Sequence, residues 1–113
     1  KVFSKDPKAV SAEQVFMMAT IGGARALHLE NMIGSLETGK RADIAIVDFD
    51  ALHQTPYYNI YSSLVYSTKA GDVNTVIVNG KILMREKRLL TLNESAIKKD
   101  ANLYRQKIIN SLR

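Results

Sequence analysis

Two histidines, a set of aspartates and a serine in a glycine turn are the residues here whose types could do chemistry. His28 and His53 stand 25 residues apart. A catalytic zinc site takes about three protein ligands, mostly His and carboxylate, and keeps one position open for water. No His-x-His or His-Glu-x-x-His pair is present to bring two imidazoles onto one ion. His28, in "RALHLE", reads as a packed or surface helical histidine. His53, in the polar "DALHQTP", reads as solvated or hydrogen-bonded to backbone. Asp43, Asp48 and Asp50 bracket the apolar run "ADIAIVDF". They could hold a metal or shuttle protons, yet carboxylates at strand ends commonly mark where a buried strand meets solvent, and that structural role is expected.

Ser35 lies in "IGSLETG", which lacks the Gly-x-Ser-x-Gly spacing of a strained nucleophile turn. "GKRAD" has Gly39 and Lys40 but no upstream glycine of a phosphate-cradling loop, and it leads into a strand. "IGGARAL" could present helix amides to an anion, a weak signal. The absence of cysteine excludes disulfides, thiolate ligands and a cysteine nucleophile. The expectation is that no residue of this chain is catalytic, metal-binding or cofactor-binding.

The elements that would position these residues follow from local pattern. Asp6-Pro7 marks a turn. Ser11 and Gln14 form a capping box, with Val15, Phe16 and Ala19 on an apolar face. Gly22-Gly23 is expected to interrupt, giving two short helices. "GSLETGK" is turn chemistry at Gly34 and Gly39. The strand Asp43–Phe49 has Ile44 and Ile46 on one face, Ala45 and Val47 on the other, so it should be covered on both. A short helix is expected near Ile60–Tyr66. Asn79-Gly80 predicts a type I′ hairpin of Val73–Val78 with Ile82–Arg85, and Arg88–Leu90 adds a short strand. Asn93 or Thr91 caps a final helix with Ile97, Ala101, Tyr104, Ile108 and Leu112 in one stripe.

With 113 residues, 46% hydrophobic and 24% charged, the chain is one domain at most, or a piece of one. Three or four short strands make too small a sheet to cover itself. Residues 81–113 carry 9 Lys/Arg against 3 Asp/Glu, a net of +6, while residues 1–80 carry a net of −1. A basic tail could serve an anionic partner, but no aromatic residues alternate with the cations, so nucleic acid is not expected. No apolar run reaches the ~18 residues of a membrane span. A cysteine-free chain of this kind fits the cytoplasm.

The string "SAEQVFMMATIGGARALHLENMIGSLETGKRADIAIVDFD", then "LVYS", then "VNTVIVNGKIL", resembles the C-terminal region of the amidohydrolase superfamily. The branch it is most similar to is that of chlorohydrolases and methylthioadenosine/S-adenosylhomocysteine-type deaminases. The resemblance runs from about Ser11 to Leu92. It implies an α+β segment: the C-terminal part of a composite β-sandwich, flanked by the last helices of a (β/α)8 barrel and a C-terminal helix. On that reading residues 1–30 end the barrel, 31–92 belong to the sandwich and 93–113 form the helix. The family's divalent metal, zinc or iron, and its His-x-His ligands would lie upstream, so none of its catalytic residues maps here. His28 stands where the family commonly has glycine, and Glu86-Lys87 replaces a more usual Asp-Gly turn.

Two functions follow as expectations. The first is a non-catalytic C-terminal segment of a metal-dependent deaminase or chlorohydrolase acting on a purine-like or other nitrogen heterocycle, inactive alone. Its partners would be the N-terminal strands and barrel of the parent. The alternative is a stand-alone interaction module whose basic C-terminal third binds an anionic partner. Isolated, the chain should expose the face those N-terminal strands cover. Sedimentation should then show a homo-oligomer, a strand-swapped dimer or aggregates; a well-behaved monomer would contradict this.

Overall fold

The chain's first helix opens where the Ser11–Gln14 spacing places it. A computed structural model describes residues 3, 5, 6 and 8–112. In it the Gln14 N–H donates to Ser11 Oγ at 3.2 Å and the Ser11 N–H donates to Gln14 Oε1 at 2.8 Å. Two orphan donors of the first turn are thereby satisfied reciprocally. Just before it, the Lys8 N–H donates to Asp6 Oδ1 at 2.8 Å; Pro7, the other half of the expected turn, lies outside the described residues.

Helix α1 (Ala12–Met17) continues through a π-helical turn, Met18–Gly22, into α2 (Gly23–Ala26). The expected break at Gly22-Gly23 does not occur: both glycines keep right-handed helical angles. Glycine here lets the helix widen. A Cβ on Gly22 would come within 2.9 Å of the Met17 carbonyl oxygen, and the Thr20 hydroxyl donates back to Phe16 O at 2.8 Å. The rod ends where Leu29 N–H donates to Ala24 O at 2.9 Å and His28 N–H to Arg25 O at 3.0 Å. This Schellman closure puts His28 at φ 56, a left-handed position that glycine occupies without a Cβ penalty.

Gly34, at φ 92, carries the chain hard against the rod. A Cβ there would lie 2.7 Å from Ala24 Cβ and 3.0 Å from Ile21 Cα. Ala24 is the one buried apolar residue among those described. From this contact the chain enters a four-stranded antiparallel sheet in the order β1-β2-β3-β4: Ile44–Val47, Val73–Val78, Lys81–Arg85 and Arg88–Leu89. The register aligns Ile44 with Ile77 and Ile77 with Ile82, and Ala45 with Val76 and Val76 with Met84. Each is a cross-strand apolar row. Asn79 and Gly80 both have positive φ, 49° and 78°, as the hairpin requires. So do Glu86 and Lys87, at 48° and 64°, without a glycine to relieve them.

The connection from β1 to β2 holds a 3₁₀ turn (Leu52–Gln54), the short α3 (Ile60–Ser62), a π-helical turn (Ser63–Ser67) and a second 3₁₀ turn (Ala70–Asp72). Phe16 and Tyr61, ring centroids 5.5 Å apart, join it to the rod. Helix α4 (Glu94–Ser111) follows, capped by the Asn93 side chain, which accepts from Ala96 N–H at 3.0 Å.

β1 is not covered on both faces as its apolar pattern predicts. Ala45 and Ile46 are exposed, and β1 lies at the sheet edge. The radius of gyration is 19.2 Å, against roughly 13 Å for a self-contained domain of this length. The elements form as the local sequence dictates, but the described residues supply no second layer. Replacing His28→Gly should raise the denaturant midpoint by an amount worth about 1 kcal/mol. Gly34→Ala should lower it by about 2 kcal/mol or more, through overlap and the wrong φ together.

Candidate functional site

Asp72, the last residue of the turn before β2, is the most heavily engaged polar side chain. Its Oδ2 accepts from Lys69 N–H at 2.7 Å and Gln54 Nε2 at 3.1 Å, and lies 2.8 Å from His53 Nε2. Gln54 Nε2 also donates to Thr68 Oγ1 at 3.1 Å, and the Thr68 hydroxyl donates to Ser63 O at 3.1 Å. The Asp72 carbonyl accepts from Asp48 N–H at 2.8 Å, extending the sheet by one bond beyond Val47. Gln54, Ser63 and Asp72 are all buried.

The local sequence builds this cluster in three pieces. "KAGD" turns in one 3₁₀ loop, so the Asp72 carboxylate folds back onto the Lys69 amide. "LHQ" forms the other 3₁₀ turn and presents two neighbouring side chains together. The π-helical turn after α3 brings Thr68 over both. The Lys69 amide first, and the His53 ring second, hold the Asp72 carboxyl below its ordinary pKa, against the opposing effect of burial. A carboxylate oxygen shared among three nitrogen groups is committed to tying loops together. His53 is exposed, as its polar loop suggests, and its ring is bound not to backbone but to a carboxylate 19 residues away. Gln54 Oε1 is buried with no partner among the described residues.

The remaining candidates do not converge on this cluster. Asp43 Oδ1 accepts from Asn79 N–H at 2.6 Å and fastens the hairpin turn. Asp48 Oδ1 accepts from Asp50 N–H at 3.0 Å in a local turn. Ser35 Oγ donates to Glu37 Oε1 at 2.5 Å and accepts from Lys40 Nζ at 2.5 Å, while Lys40 lies 3.1 Å from the same Glu37 oxygen. The Ser35 hydroxyl and the Lys40 ammonium hold the Glu37 carboxyl below its ordinary pKa. Lys40 Nζ, held between Ser35 and Glu37, closes the turn. The amides of Gly22 and Gly23 lie inside the helical rod and offer no anion site.

Asp72, Gln54 and Thr68 carry no sequence motif, and nothing in their spacing singles them out. The one local signal is Asp72 itself, three residues after Lys69 and just before an apolar strand. An open apolar groove also runs between the rod and β1, lined by Phe16, Ile21, Leu27, Ile33, Leu36 and Ile44.

The lowered Asp72 pKa fixes a sign. Its stabilisation is complete above the unfolded-state pKa and is lost as pH falls through the folded value, so loss sets in below about pH 4. Asp72→Asn should lower the melting temperature at neutral pH, and the gap from the parent chain should narrow on acidification. His53→Gln, which keeps a donor, should lower it less. Thermal melts across pH check both.

Residues 1–83 match the model of the Amidohydrolase family. All 113 residues align at 40% identity with 5-methylthioadenosine/S-adenosylhomocysteine deaminase 1 of Syntrophus aciditrophicus (strain SB), covering 26% of that protein. The crystal structure of an adenosine deaminase from Xanthomonas campestris with bound zinc superposes on 97% of the chain. Its TM-score is 0.89 at 34% identity, over 25% of that structure's length. Atrazine chlorohydrolase TrzN from Arthrobacter aurescens TC1, complexed with zinc, matches 90% of the chain with TM-score 0.77 and 25% identity, over 22% of its own length. The chain spans about a quarter of the length of the curated relatives it matches. On the family match and these likenesses, the chain belongs to the amidohydrolase family.

Proposed function

We propose that the chain is the non-catalytic C-terminal segment of a hydrolytic deaminase that acts on the amino group of a purine-like ring. The observation that carries this reading is 40% identity, over every residue of the chain, to a protein named as such a deaminase. Its divalent metal, zinc or iron, would be held by residues outside these 113. The donors present do not fit one. His53 faces Asp72, Asp72 Oδ2 already serves three nitrogen groups, and His28 caps a helix. No group of three or more His, Asp or Glu among the described residues could hold an ion.

The segment's work is then architectural. The rod of α1 and α2 would end the barrel, and the sheet would be one layer of a sandwich completed by strands from the other end of the parent chain. The groove beside β1 and the open β1 edge support this, since an uncovered apolar edge strand seats another strand. The composition, free of cysteine, agrees with a cytoplasmic enzyme, and no helix among the described residues is long and apolar enough to cross a membrane.

The full-length protein, supplied with zinc or iron, should release ammonia from 5′-methylthioadenosine or S-adenosylhomocysteine, and these 113 residues alone should release none. Absence of ammonia release from every adenine nucleoside tried would remove the deaminase assignment. Activity from the 113 residues alone would remove the non-catalytic one.

A further inference from the structure

We draw no further inference here: the strongest candidate, the exposed apolar stripe of Ile97, Tyr104, Ile108 and Leu112 along helix α4, is an unpartnered face, and nothing in the structure shows what covers it.

Discussion

The structure hangs on one carboxylate oxygen. Asp72 Oδ2 gathers the Lys69 amide, the Gln54 amide and the His53 ring, and so closes the long connection between the first two strands. Loop backbones must place their polar groups, and a chain with a single buried apolar residue among those described cannot organise a loop by burial alone. Fixing that connection fixes the start of β2, and through the Asp72 carbonyl and Asp48 amide it fixes the exit of β1. The Ala24–Gly34 contact does the corresponding work at the entrance. Between these two points the sheet register has little freedom.

Local chemistry was legible in the residues wherever the cause lay within a few positions. The Ser11–Gln14 box, the Asn79-Gly80 turn, the Asn93 cap and the brief β4 all depend on neighbours in sequence, and the structure has them. The Gly22-Gly23 pair misled because glycine weakens a helix without having to end it; here the missing Cβ admits a wider turn. The apolar pattern of β1 spoke correctly of a strand, yet Ala45 and Ile46 are exposed and the described residues lay nothing over them. The Asp72 cluster was illegible because its members come together through three irregular turns, whose geometry no periodicity encodes. Asp43 was read as the start of a strand, and its carboxylate also reaches 36 residues ahead to the Asn79 amide.

Family membership and solitary chemistry part company in this segment. The stretch Ile33 to Phe49, part of the string that resembles the family, spends its polar side chains on turns: Ser35 and Lys40 on Glu37, Asp43 on the hairpin, Asp48 on Asp50. Those are demands of backbone geometry. A sequence can therefore resemble a hydrolase family through residues whose side chains are engaged in closing turns.

The hairpin tip carries a chemical consequence as well. An asparagine followed by glycine ages by attack of the glycine nitrogen on the asparagine amide carbon, giving a succinimide and then an aspartate or isoaspartate. Here the Gly80 nitrogen is engaged with the Ala42 carbonyl at 3.0 Å, and the Asn79 nitrogen with Asp43 at 2.6 Å. Both contacts come from the residues that lead into β1. The lead-in strand thus shields Asn79 from its own neighbour, and spontaneous deamidation at the tip keeps time with how often that edge lets go.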